Sequence, residues 1–207
     1  MSKTTIPTGG ITADAINATL IADDAISEEH IDATVITGST ALAATPADTD
    51  EFLISDAGTI KRIDYSHIKA TNAPHFNAYR NGTQSLSNNS HTVVQFNAEV
   101  HDSDNTFDSS TNYRFTPAVA GFYFLHAQCR VGVQANGNIS AVIRKNGSAV
   151  ARSLNDNSDN NTVNVSLLIE SDDNDYFDVE CFQNTGADRD LTGSYENTFF
   201  VGFKLAW

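Results

Sequence analysis

Gly121-Phe122-Tyr123-Phe124-Leu125-His126-Ala127-Gln128-Cys129-Arg130-Val131-Gly132-Val133 sets Tyr123, Leu125, Ala127, Cys129, Val131 and Val133 at every second position. A period of two puts those side chains on one face of an extended chain, the signature of a strand with one side on a core. The same period recurs on both sides of this stretch. Upstream it takes in Thr92, Val94, Phe96 and Ala98. Downstream come Ile139, Ala141 and Ile143, then Val163, Val165, Leu167 and Ile169, then Phe177, Val179 and Cys181. The last set is Phe199, Val201, Phe203, Leu205 and Trp207. Lys145-Asn146-Gly147-Ser148 supplies an Asn-Gly hairpin turn, because both residues accept the positive φ that the turn requires. So many short strands joined by polar loops predict an all-β sandwich or jelly roll. A chain that finishes on aromatics predicts that its last strand is central to a sheet.

The chain changes character near Thr71-Asn72-Ala73-Pro74. Of the aromatics Phe, Tyr and Trp, only Phe52 and Tyr65 precede that point. Three regions are expected: 1–44, 45–73 and 74–207. In the first, isoleucine recurs every five residues, at Ile11, Ile16, Ile21, Ile26, Ile31 and Ile36. A step of five scatters side chains around a helix and alternates them across a strand. The pattern instead suits a five-residue unit that buries one Ile, either as a strand-and-turn stack or as three chains wound about one axis. Too few apolar residues are present for a core of its own, so partner chains are expected. In the second region, Asp50–Ile54 and Thr59–Ile63 flank Ser55-Asp56-Ala57-Gly58, a hairpin with Gly in its turn. A helical turn is expected over Tyr65–Lys69.

The 207 residues carry 26 acidic against 12 basic side chains, a net charge of −14, and 40% are hydrophobic. That is enough apolar content for a core, and the charge repels the phosphate backbone. Nucleic acid is excluded as a partner on this reading, and so is an anionic membrane surface. No run is long and apolar enough for a bilayer span, and no secretory leader follows Met1-Ser2-Lys3. Cys129 and Cys181 lie inside predicted strands without metal-type spacing, and are expected as buried thiols rather than a disulfide.

Residues 74–207 resemble the C1q globular-head family, relatives of the tumour-necrosis-factor jelly roll. The resemblance is carried by Phe96, Tyr113-Arg114-Phe115-Thr116-Pro117, Ala120-Gly121-Phe122-Tyr123-Phe124, Arg144-Lys145-Asn146-Gly147, Asp175-Tyr176-Phe177-Asp178-Val179 and Phe199–Leu205. Asn174 stands where the family has Gly before its strand-start Asp, and there is no Gly-x-y stalk. The resemblance implies a tight trimer with aromatics packed around a three-fold axis. Phe122, Phe124 and Phe200 are the interface candidates, being opposite in parity to their neighbours in strands that need cover on both sides. Ile16, Ile21 and Ile26 are the candidates in the stem.

No catalytic motif is present: neither Gly-x-Ser-x-Gly nor a phosphate-cradling Gly loop occurs. The six histidines lack His-x-x-x-His spacing. Aspartates cluster as Asp102/Asp104/Asp108, Asp156/Asp159 and Asp172/Asp173/Asp175. Solvated loop charge is the favoured reading. Calcium, which some members of the resembled family bind, is kept as the alternative at Asp102, Asp104 and Asp108. Asn155, Asp156, Asn157, Asp159, Asn184, Asp188 and Tyr195 are the candidate receptor contacts, because amides, carboxylates and a tyrosine on polar loops suit sugar hydroxyls.

The N-terminal pieces, the Ile repeat and Asp48–Asp56, are similar to the leading segments of phage fibre and appendage proteins. With the head, that similarity implies a non-enzymatic virion protein made in the bacterial cytoplasm. The expectation is a homotrimeric tail fibre or appendage. It would join another virion protein through its N-terminal region and bind a host surface glycan or protein through its head. A capsid decoration protein or head fibre is the alternative.

Overall fold

A computed structural model describes residues 9–11, 20–22, 26, 30–132, 137–155 and 161–206. It is nearly all β and divides into two units, Met1–Ile68 and Lys69–Trp207.

In the first unit, strands β1 (Glu51–Asp56) and β2 (Thr59–Asp64) pair antiparallel from Glu51↔Asp64 to Asp56↔Thr59. The two-residue turn between them, Ala57-Gly58, takes positive φ at both positions (49° and 83°). That twist matches the strands it joins. The predicted hairpin therefore forms, and its ladder runs two residues further than expected, through Ser55 and Asp56. A single 3-10 turn, Tyr65–His67, follows. Leu53 and Ile60, on one face of the hairpin, are 80% and 69% exposed, while on the other face Phe52 meets Tyr65 at 6.2 Å between ring centroids. Ile21, Ile26, Ile31 and Ile36 are exposed as well, and a short helix, Thr34–Thr37, carries Ile36. No strand-and-turn stack forms among the described residues, and Ile16 lies outside them.

The second unit is a two-sheet sandwich. Its strands are β3 (His75–Tyr79), β4 (Gln84–Leu86), β5 (Ser90–Val93), β6 (Ala98–Asp102), β7 (Phe107–Asp108), β8 (Arg114–Phe115) and β9 (Gly121–Arg130). They continue with β10 (Ile139–Lys145), β11 (Ser148–Asn155), β12 (Thr162–Ser171), β13 (Phe177–Gln183), β14 (Arg189–Leu191) and β15 (Phe199–Lys204). One sheet has the order β12-β9-β15-β3-β6; the other runs β11-β10-β13-β8-β7, with β5 also on β13. β4 and β14 form a small pair of their own. The last strand is central, between β9 and β3, as its aromatic content predicted.

Tyr123, Leu125, Ala127, Cys129 and Val131 are all buried in the core, as the alternation predicts, although the strand ends at Arg130; Val133 and Trp207 lie outside the described residues. Against them pack Phe76, Phe96, Phe107, Phe115 and Phe200, with Phe76 at 4.3 Å from Phe115 and 4.9 Å from Phe200 between ring centroids. Burying aromatic groups of this size dominates the stability of a small sandwich. Gly202 faces the same core, and a Cβ there would lie 2.5 Å from Leu125 and 2.8 Å from Phe76. Cys129 and Cys181 are both buried free thiols that meet across the core, and this contact together with burial holds the Cys129 thiol well above its ordinary range.

Two strand readings need correction. Phe200 is fully buried in the core rather than at an interface, and the outward face of β15 carries Phe199, Val201 and Phe203. The run Phe199-Phe200-Val201-Gly202-Phe203 is apolar on both parities, and periodicity alone favoured the larger set; the core takes the set containing Gly202 because Phe76 fills that space. Nor do Thr92, Val94, Phe96 and Ala98 form one strand. β5 lies in one sheet and β6 in the other. Val94 and Phe96 are buried in the crossing between them.

Candidate functional site

The register of the five-stranded sheet lays its outward side chains in rows. Leu168, Phe124, Phe203 and His75 are cross-strand neighbours in one row. Ser166, His126, Val201, Asn77 and His101 make the next. Asn164, Gln128, Phe199 and Tyr79 make the third. Phe122 lies beyond the first row, beside Glu170. Aromatic contacts knit the rows: Phe124 to Phe203 at 5.5 Å, His126 to Phe199 at 5.5 Å, Tyr195 edge-on to Tyr79 at 6.4 Å. Leu168 and Phe203 are exposed, and Phe122, Phe124, Phe199 and Val201 are half-buried. The predicted Phe122 and Phe124 therefore stand on this face, joined by residues of β15 that the parity error had assigned to the core.

Next to Phe203 a shallow recess of about 340 Å³ is lined by Asn72, His75, His101 and Val201. The imidazoles of His75 and His101 meet edge to face at 4.9 Å. His75 Nδ1 is sealed from solvent with no hydrogen-bond partner. Burial lowers the pKa of His126, and a hydrogen bond to the Val165 backbone offsets part of that effect.

The candidate receptor loops gather at one end of the sandwich. Ile139 pairs with Asn155 on one side and Gln183 on the other, so Asn155 and Asn184 flank the same end of β10. Tyr195 is in the connection that leads into β15 at Phe199, which lies opposite Gln128 at the same end. His75 pairs with Phe203 at the other end, where the chain runs into β3 and out of β15. Asn184 and Asp188 turn their side-chain oxygens to the backbone of neighbouring loops. Asn184 Oδ1 accepts the Asn138 N–H at 2.6 Å, and Asp188 Oδ1 accepts the Asn88 N–H at 2.8 Å. Tyr195 is exposed. Asp156, Asn157 and Asp159 lie outside the described residues.

The calcium reading of Asp102, Asp104 and Asp108 is not carried by the geometry. Asp102 accepts from Thr106 Oγ1 at 3.0 Å and the Phe107 N–H at 2.7 Å. Asp108 accepts from the backbone N–H groups of Ser110, Thr111 and Asn112 at 2.9–3.1 Å, which hold its carboxyl far below the usual carboxylate range. These oxygens organise their own loop. Among the described residues no three His, Cys, Asp or Glu side chains converge to hold a metal.

A model of the C1q domain matches residues 75–205. The chain belongs to the C1q domain family. Solved C1q and tumour-necrosis-factor-type structures are similar to it in fold. The globular domain of zebrafish complement 1qA protein is 20% identical, over 64% of this chain and 96% of that one, with a TM-score of 0.48. Murine APRIL is 14% identical over 64% and 98%, with a TM-score of 0.50. Eiger TNF from S. frugiperda is 13% identical over 64% and 94%, with a TM-score of 0.46. Likeness at these identities bears on fold alone. Among curated proteins none matches the chain.

In this C1q head the motif pieces that carried the resemblance prove to be partners of one another. Arg144 clamps Asp178 and also donates to Glu180. Lys145 Nζ lies 2.7 Å from Asp175, and the Asn146 amide donates to the same carboxylate at 2.6 Å. Burial pushes the Asp175 carboxyl up, but these bonds and the Asp172 N–H outweigh it and hold the group below its ordinary range. Residue-by-residue reading missed this network. The available signal was charge alternation in two strands, Arg144 on one and Asp178/Glu180 on the other, which becomes a contact only once β10 and β13 are paired.

Proposed function

We propose that this C1q-family protein is a non-enzymatic, homotrimeric virion appendage whose head binds a host surface receptor, with a glycan as the favoured ligand. The observation that carries self-association is the outward face of β9 and β15. Phe122, Phe124, Phe199, Val201 and Phe203 form an apolar strip, and among the described residues Phe203 at its middle is exposed. A monomer would leave that strip in water, whereas subunits packed around a three-fold axis cover it. Receptor binding is placed at the loop end that carries Asn155, Asn184, Asp188 and Tyr195, away from where the chain runs into β3 and leaves β15. Three heads on one axis present three copies of a weak site, whose affinities multiply through valency. The N-terminal region, with its hairpin and exposed isoleucines, would contribute to the trimer and seat it on another virion protein.

Light scattering on the full chain should return a three-chain mass. Antibody against residues 74–207 on intact virions, viewed by electron microscopy, should label the tail or its appendages. Label over the capsid would move the assignment to decoration, and virions without label would remove the phage assignment.

Capsid decoration or a head fibre is the second reading. It is favoured by the engagement of the Asn184 and Asp188 oxygens with the backbone of the neighbouring loops at Asn138 and Asn88, which leaves fewer polar groups to meet a ligand.

A further inference from the structure

We propose that Asn81-Gly82 is a self-modification site, where the head loses ammonia and acquires an isoaspartate beside the segment that carries Tyr195, while the same dipeptide at Asn146-Gly147 is held inert by the fold. The inference does not rest on trimer or receptor: the chemistry needs only this chain and water.

An asparagine followed by glycine is open to this reaction because the second residue has no side chain to hinder approach to the first. The Gly82 backbone nitrogen gives up its proton and bonds to Asn81 Cγ. The bond from Cγ to the side-chain nitrogen breaks, and that nitrogen takes a proton and leaves as ammonia, closing a succinimide ring. Water then opens the ring. Breaking the new bond leaves aspartate; breaking the original peptide bond leaves isoaspartate, with the main chain rerouted through Cβ and Cγ. Either outcome adds a carboxylate, and no electrons are transferred.

The dipeptide occurs at Asn81, Asn136 and Asn146. Asn136 lies outside the described residues. Asn81 and Asn146 are both exposed, so access to water does not separate them. The tethering of the side chain does. Asn146 Nδ2 donates to Asp175 Oδ1 at 2.6 Å, and Asn146 Oδ1 accepts the Tyr176 N–H at 3.0 Å. Both bonds must break before its Cγ can turn to the Gly147 nitrogen, and one of them is to a carboxylate. At Asn81 the arrangement is reversed. The main chain is gripped, its N–H donating to Asn97 Oδ1 at 2.7 Å and its C=O accepting from Asn97 Nδ2 at 3.3 Å. The Asn81 side-chain amide makes no hydrogen bond among the described residues, so it can swing onto Gly82 from a fixed backbone.

The product does not fit the place where it forms. Arg80 holds the loop through the carbonyls of Thr83 at 2.7 Å and Gln95 at 3.2 Å. The Gly82 peptide fills the space beside Gly193, where a Cβ would lie 2.5 Å from Gly82 C and 2.6 Å from Gly82 N. Isoaspartate takes the residue 81 carbonyl out of the Asn97 grip and lengthens the chain against Gly193. The segment from Gly193 to Tyr195 must then shift, and with it the edge-on contact of Tyr195 to Tyr79.

The test is to age the full chain in mildly alkaline buffer, with a parallel sample unfolded in guanidinium chloride. Peptide mass spectrometry follows amide loss at each asparagine, and methyltransferase labelling detects isoaspartate. In the native sample, loss at Asn81 should be at least about tenfold faster than at Asn146, because two hydrogen bonds must first break there. The two rates should converge in the unfolded sample. The near-ultraviolet circular dichroism of the tyrosines should drift with the extent of reaction in the parent and stay constant in Asn81→Gln. Asp175→Ala should bring the Asn146 rate toward that of Asn81. Equal native rates, no native loss at Asn81, or a gap that persists after unfolding would each overturn the proposal. If Asp175→Ala does not fold, the comparison of native and unfolded parent still decides.

Discussion

Arg144 and Asp178 face each other across β10 and β13 in a two-pronged ion pair, Nε to Oδ1 at 2.6 Å and Nη2 to Oδ2 at 2.7 Å. The third nitrogen of the fork donates to Glu180, and Glu180 also lies 3.4 Å from His91. The side chains of Arg144 and Asp178 are only 18% and 9% exposed. The planar guanidinium grips Asp178 with two parallel N–H donors and still has a third for Glu180, a fixed fork that an ammonium lacks.

Removing Asp178 leaves the Arg144 guanidinium with Glu180 alone. Asp178→Ala is expected to destabilise the head by about 2–4 kcal/mol, read from urea denaturation with unchanged slope. Arg144→Lys keeps the charge but loses the fork, and should fall between the parent and Asp178→Ala.

The two parities of β15 predict opposite phenotypes. Phe200→Ala should cost about 3–5 kcal/mol, because it opens a cavity among Phe76, Phe96 and Phe107. Phe203→Ser should leave the thermal midpoint of the isolated head fold nearly unchanged while reducing the mass seen by light scattering. Equal unfolding by both substitutions would show that the outward strip is part of the core.

Asp175 gives a pH signature. Its folded pKa is below the ordinary value of 3.8, so the stability it contributes is present above 3.8 and is lost as pH falls from there through the folded pKa. Asp175→Asn should therefore be less stable than the parent at neutral pH, and the gap should close in strong acid. Chemical denaturation at the two pH values measures both ends.

The thiols of Cys129 and Cys181 are fully buried, and Cys129 is held in its protonated form. A thiol reagent should modify neither in the native protein and both after unfolding. Rapid native modification of either would mean that the core opens locally.

Much of the fold was legible because the alternation in Tyr123–Cys129 and Val163–Ile169 and the turn residues Asn146-Gly147 and Ala57-Gly58 each act locally. The errors fell where local pattern was ambiguous. Phe199–Phe203 is apolar on both faces, and only the shape of Gly202 against Phe76 decides which face is inside. Val94 and Phe96 belong to a crossing that no period describes. For the candidate site, composition found polar loops but could not say that Asn184 and Asp188 turn their oxygens toward Asn138 and Asn88. Likewise Asp108 counts as a carboxylate in the sequence, yet in the fold its oxygens serve as a cap for three successive backbone N–H groups.

The position of β15 between β9 and β3 has a consequence during synthesis. β3 is the first strand of the head to leave the ribosome and β15 the last. Until residues 199–204 emerge, β3 and β9 have open edges facing one another and the Phe76 pocket lacks Phe200. The nascent head must therefore wait, unzipped, for its final segment, and a chain cut short before that point exposes two strand edges ready to pair with a neighbour. Translation to the end of β15 is thus a checkpoint: only a head finished to that point can close its five-stranded sheet.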